Sequence, residues 1–374
     1  MNGNIRVGNL FGIPFYVNPS WFLVLGLVSF QYGSLLAAQF PYLGGFTPLV
    51  LGFVAALLLF ASVLAHELGH SLVAIRQGID VKSITLFLFG GLASLEKESE
   101  NPAQAFWVAI AGPAVSLVLF ALFTAIGVGT GISGPLAAIV SLLGSINLIL
   151  ALFNLIPGLP LDGGNILKSL VWKITGNPYK GVVFASRVGQ FVGWIGIAIG
   201  LLSILGISSI GSFWTLLIGV FLLRNAGWSA RSASLSETLM DLKAEDAVIP
   251  NSPIVSADLS LREFVNDYII GKPESYRFLV TDEEGQLLGA IAVDDLKTIP
   301  TSQWTVTQVR ELIQPIDLST TVQPDQSLLE VVTLLEKQRL TQLPVVRANG
   351  VLVGILEKAS IVHLLEKRVQ AKLA

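Results

Sequence analysis

The chain has 374 residues, 52% of them hydrophobic and 13% charged, with a mean hydropathy of +0.70 and a formal net charge of −3. A soluble globular protein carries about 25% charged residues, so this composition excludes an ordinary water-soluble enzyme and leaves room for a membrane domain plus a second domain. The mild net charge gives no footing for nucleic acid, and the absence of cysteine excludes a disulfide framework or a thiolate metal site.

Charge divides unevenly. Residues 1–228 hold 9 Lys+Arg and 6 Asp+Glu, while residues 229–374 hold 14 and 20. The change near Trp228 reads as a change of solvent from lipid to water. The N-terminal stretch MNGNIRVGNLFGIPF lacks the basic-then-apolar order of a cleaved signal, so the first span is expected to stay in the mature protein. Six stretches are long and apolar enough to cross a bilayer: 20–38, 46–75, 103–128, 135–157, 185–205 and 207–223. The connections near 39–46, 128–135 and 205–212 carry no charge. The others carry Arg6, then Arg76, Lys82 and Lys97, then Lys168, Lys173 and Lys180, then Arg224 and Arg231. Basic loops stay in the cytoplasm, which places both termini there. The expected setting is a multi-pass protein of a prokaryotic plasma membrane or an organellar membrane.

Between spans two and three, residues 78–100 (GIDVKSITLFLFGGLASLEKESE) are rich in β-formers with a break at Gly90–Gly91. They predict a short β-hairpin at the cytoplasmic surface. Its open edge could accept an extended substrate by strand addition, or the segment could be a packed connector.

Span two ends in HELGH. On a helix, residues i and i+4 share a face, so His66 and His70 can hold one zinc ion, with Glu67 beside them to take a proton from water. These are the first two of only three histidines in the chain; the third, His363, reads as a solvated helix residue. Ionisable groups inside a membrane helix are costly and mark function. A catalytic zinc keeps three protein ligands and one water. Between Glu100 and Glu237 the only acidic residue is Asp162, in NLIPGLPLDGG at the cytoplasmic end of span four. It is the candidate third ligand, the alternative being a helix cap for the segment that follows. Asn154, eight residues earlier, is either a donor to a developing oxyanion or a bond to a neighbouring helix.

HELGH in one span with NLIPGLPLDGG in a later one resembles the site-2 protease family of intramembrane metalloproteases. The likeness covers about residues 1–228, including GIPF…PSWF before span one and the FGG of the hairpin. It implies His66, His70 and Asp162 as zinc ligands and Glu67 as general base. It also raises Asn154 as a residue that positions substrate or stabilises the oxyanion. It implies membrane-spanning regulatory proteins as substrates. One departure is visible: Asn18 stands in a neighbourhood where many members have a histidine.

Residues 237–370 contain a repeat. FLVTDEEGQLLGAIAVDDL matches LPVVRANGVLVGILEKASI, with Gly285 and Gly350, and Gly289 and Gly354, at an offset of 65. Each copy predicts helix, strand, strand, helix, opened by SLREFV or SLLEVV. The pattern resembles a tandem CBS-domain pair, with 229–236 as linker, 237–300 as repeat one and 301–374 as repeat two. Such a pair implies a regulatory module, a route to homodimers and an adenosine-nucleotide ligand. Only Asp295 stands where that family keeps a ribose-binding carboxylate, and it reads equally as a helix-start acid. The expected fold class is therefore a polytopic α-helical membrane protein of six transmembrane helices with a cytoplasmic α/β tandem CBS domain. The rival function is a transporter or channel under CBS control, which predicts ionisable groups spread over several spans.

Overall fold

The computed structural model describes residues 3–87, 90–249, 252–270, 277–317 and 320–373. It divides into two compact units, Met1–Ser234 and Leu235–Ala374.

The first unit opens with an antiparallel hairpin, β1 (Ile5–Leu10) and β2 (Ile13–Val17), that the sequence reading did not anticipate. Helix α1 (Pro19–Gln39) follows. Asn18 is its N-cap, accepting from the Ser20 N–H at 3.0 Å, and its amide donates to Asn4 at 2.8 Å. This gives the residue in the family's histidine neighbourhood a capping role. Helix α2 (Thr47–Arg76) carries HELGH in its last third. Strands β3 (Val81–Phe87) and β4 (Gly90–Leu95) form the expected hairpin; Phe89 of the FGG, with Leu88, lies outside the described residues. The sheet order is β1-β2-β3-β4, with β2 and β3 parallel, so β4 forms one edge.

Helices α3 (Pro102–Gly129), α4 (Gly134–Asn154), α5 (Asp162–Thr175), α6 (Pro178–Ile204) and α7 (Phe213–Met240) complete the unit and run into the second. Among the described residues five helices, α1, α2, α3, α4 and α6, are long and apolar enough to cross a membrane. The sixth predicted span is not confirmed: in α7 the apolar run 213–223 stops at Arg224 and Asn225, and eleven residues reach only about 17 Å of the roughly 30 Å hydrocarbon core. That run nevertheless lies closely against α6, since a Cβ at Gly193 would come 2.8 Å from the Leu223 nitrogen. A Cβ at Gly52 of α2 would likewise come within 2.6 Å of the Gly33 nitrogen of α1. Small residues at these crossings let helix backbones pack without a hydrophobic drive, as a lipid solvent requires. Large apolar side chains point outward instead, Phe30, Phe46, Phe191 and Trp194 among them.

The second unit is built from two interlocked halves. Strand β5 (Ile254–Ser256), helix α8 (Leu261–Phe264), β6 (Arg277–Thr281) and β7 (Leu287–Ala292) make the first; α9 (Leu328–Lys337), β8 (Gln342–Val346), β9 (Leu352–Glu357) and α10 (Lys358–Leu373) make the second. Ser260 and Ser327 cap α8 and α9, each accepting from the N–H three residues on. In the first half a 3₁₀ turn, Val293–Thr298, stands where the pattern predicted a closing helix. The hairpin turns exchange backbone bonds: Leu287 N–H donates to Gly350 and Leu352 N–H to Gly285, at 3.0 and 2.9 Å. Gly285 and Gly350 have φ of +77° and +85°, conformations that disfavour a side chain. Each core borrows from the segment that precedes the other half. Leu239, Leu242 and Ala244 pack with Val322, Leu328, Leu343 and Leu356, while Val309 packs with Leu261, Phe264 and Ile291. Residues 229–236, read as a linker, are helical and lie within α7.

Candidate metal centre

Helix α2 presents His66 and His70 on one face, and Asp162, in the first turn of α5, comes to meet them. His66 Nε2 is 3.1 Å from Asp162 Oδ2, His70 Nε2 is 3.3 Å from the same oxygen, and the two nitrogens are 3.3 Å apart. A tetrahedral zinc with bonds of about 2.0–2.1 Å separates its ligand atoms by about 3.3–3.4 Å, which is nearly this triangle. The outward nitrogens are also assigned. His70 Nδ1 donates to the Val108 carbonyl at 2.7 Å, and His66 Nδ1 is 2.9 Å from the Ser116 hydroxyl. With His70 Nδ1 carrying the proton, its Nε2 lone pair points at another imidazole nitrogen and a carboxylate oxygen. Lone pairs brought together in this way fit a cation between them. Side-chain exposure is 4% for His66, 13% for His70 and 17% for Asp162, so little water competes.

The loop before α5 explains how a carboxylate reaches this depth. The chain leaves α4 at Asn154, and bonds from Gly158 N–H to Ile156 and from Leu161 N–H to Gly158 fold the segment tightly. Leu159 N–H donates to Ala185 of α6. The break is in residues 155–161, and Gly163 and Gly164 are buried in the first turn of α5.

Glu67 sits beside the triangle. The Ala93 backbone of β4 lies beside its carboxylate, and a Cβ at Gly91 would fall onto the Glu67 side chain. Edge strand and carboxylate therefore lie within contact range. Asn154 shares the surrounding cavity, with one amide N–H donating to Leu150 at 3.0 Å in its own helix. The bond to a neighbouring helix is made by Asn147, a fully buried residue whose amide donates to Ser62 of α2 at 3.1 Å. The cavity, ≈ 680 Å³, runs from an apolar wall including Val24, Phe60 and Leu150 to a polar mouth with Glu98, Asn165 and Lys168.

Sequence reasoning missed Val108, Gly112 and Ser116, which hold or clear space for the two imidazoles. Their spacing of four on α3 was a readable signal, but nothing in an apolar span tells which face meets HELGH. Ser116→Ala is expected to lower metal affinity by roughly 10- to 100-fold, read by competition against a graded chelator. In the second unit, one oxygen of Asp295 accepts the Ala292 N–H at 2.8 Å and the other the Gln314 amide at 2.9 Å. That placement matches the helix-start reading of this acid.

The sequence profile of Peptidase family M50 matches residues 54–134 and 130–203, and that of the CBS domain matches residues 309–367. A Synechocystis sp. protein named as a candidate zinc metalloprotease is 63% identical over 98% of this chain and 96% of its own length. Rip3 of Mycobacterium tuberculosis, named in the same way, is 31% identical over 98% of this chain and 94% of its own. The solved site-2 protease of Methanocaldococcus jannaschii is 27% identical and covers 61% of this chain and 95% of its own, with a TM-score of 0.43.

Proposed function

The chain belongs to peptidase family M50, as an integral membrane protein with a C-terminal CBS domain, and we propose that it is a zinc endopeptidase that cuts transmembrane segments of regulatory membrane proteins. The observation that carries this reading is the His66–His70–Asp162 triangle with Glu67 beside it. The histidines lie six and ten residues from Arg76, about 9 and 15 Å along α2, which puts the site inside the membrane near the face of the basic loops. That face is read as cytoplasmic, with both termini on it. The ion-pathway alternative predicted ionisable groups spread over several spans, whereas His66, Glu67, His70 and Asp162 form one cluster.

His66, His70 and Asp162 would hold the zinc, which when bound polarises a carbonyl and acidifies a water. Glu67 accepts the proton of the attacking water on its carboxylate and delivers it to the leaving amine nitrogen. The β4 backbone at Gly91, packed against its side chain, holds that carboxylate in place. In this reading Asn154, which lines the same cavity and gives one amide N–H to Leu150, donates the other to the oxyanion. A helical substrate hides its carbonyls in backbone hydrogen bonds and must unwind first. The outer edge of β4 then offers backbone partners for an extended strand. The CBS pair acts in this reading as a regulatory module with a capacity to dimerise, and an adenosine nucleotide remains its candidate ligand.

The test is cleavage of a single-span membrane protein by the purified full chain in liposomes. Treatment with 1,10-phenanthroline should stop cleavage and release one zinc per chain, and stoichiometric zinc should restore the rate. Cleavage that persists after the metal has been stripped would remove the proposal.

A further inference from the structure

The mouth of the cavity holds a cation that the proposed hydrolysis does not use. Lys168 is the one lysine or arginine among its described lining residues, where it faces Glu98 and Asn165. It sits on α5 six residues beyond Asp162, which carries it about 9 Å along the helix from the triangle. Its position is fixed at the base: α6 lies so close that a Cβ at Gly181 would come 2.5 Å from the Lys168 carbonyl oxygen and 3.4 Å from its Cγ. The stem is thereby pressed against α6, and the side chain is only 20% exposed.

Among the described residues the ammonium has one weak partner. Its Nζ stands 3.9 Å from Glu98 Oε2, beyond hydrogen-bond range, and the Glu98 side chain is 93% exposed on the loop after β4. A largely shielded lysine facing a solvated carboxylate across an open mouth is poorly satisfied. A carboxylate carried on a substrate strand along β4 could come closer than Glu98 does.

We propose that Lys168 is a specificity-determining residue that receives an acidic side chain of the substrate. This rests on the protease reading above. At about 3.3 Å per residue of extended chain, a 9 Å offset places that acidic residue about two to four residues from the scissile bond. Glu98 occupies the position in the absence of substrate and competes with it.

The experiment uses the full chain in liposomes and a single-span substrate whose cleavage site has been mapped. Asp, Asn or Lys is placed in turn at each of the four positions on either side of the bond. At one position the wild type should prefer Asp over Lys by roughly three- to tenfold in kcat/KM. Lys168→Glu should reverse that preference, Lys168→Gln should flatten it, and Glu98→Gln should lower KM for the Asp substrate. Binding of the same substrates to a Glu67→Gln background should rank them identically, which separates recognition from chemistry. Zinc content reports whether each variant has folded. A Lys168→Glu or Lys168→Gln profile identical to that of the wild type overturns the inference and leaves the protease standing. Failure of the wild type to cut any substrate overturns the protease reading, and the inference with it.

Discussion

Replacing Glu67 by Gln should leave one zinc per chain and lower cleavage of a membrane substrate by roughly 10²- to 10⁴-fold. Gln keeps the volume of Glu, so the edge of β4 packed against it at Gly91 need not move. The atoms of the triangle are untouched, because Glu67 contributes none of them. What is lost is a group that can take a proton and give it back. At 1.36 kcal/mol per factor of ten, the expected loss is about 3–5 kcal/mol of barrier lowering. The two readouts must separate. Zinc measured by atomic emission should match the wild type while the initial rate collapses. If zinc disappears with activity, Glu67 is structural; if both persist, another residue is the base.

How much of this was visible before folding depends on the kind of information each feature carries. HELGH declares itself because i and i+4 on a helix fix a mutual geometry without any tertiary knowledge. Asp162 was reachable by scarcity, since no other acid lies between Glu100 and Glu237. The spans were legible because a bilayer demands long apolar runs. The charge-bearing end of α7 was less so, because its apolar run is short and the helix continues through Arg224. The N-terminal hairpin escaped because β1 is exposed along its whole length and has no buried face to impose a period. Asn147, not Asn154, ties α4 to α2; the two stand seven residues apart on one face, and their depth along α4 brings one to Ser62 and the other to the cavity. In the tail the offset of 65 revealed two copies. It could not reveal that Leu242 completes the core of the second copy and Val309 that of the first, because such borrowing leaves no periodic trace.

Gly112→Ala should cost the protein its zinc as surely as loss of a ligand, although Gly112 coordinates nothing. On α3, Val108, Gly112 and Ser116 recur every four residues and share one face. The outer two hold His70 and His66 by their Nδ1 atoms. Gly112 lies between them, where a Cβ would fall onto His70 Nε2 and stand 2.7 Å from His66 Nε2. Helix α3 cannot simply withdraw. Withdrawal would stretch both Nδ1 contacts and open the crossing at which Gly69 of α2 already stands so near α3 that a Cβ would come 2.9 Å from the Ala111 carbonyl oxygen. The imidazoles must turn instead, and turning them breaks the triangle. Zinc affinity should therefore fall by more than the roughly 100-fold upper end expected for removing a supporting hydrogen bond, and cleavage should fall with it. Gly129→Ala in the same helix is the control: a Cβ there meets nothing within 4 Å, so the same chemical change should leave zinc and rate intact. Helical content by circular dichroism should match across all three proteins. A Gly112→Ala protein that keeps wild-type zinc affinity would mean that α3 does not face the two histidines as described.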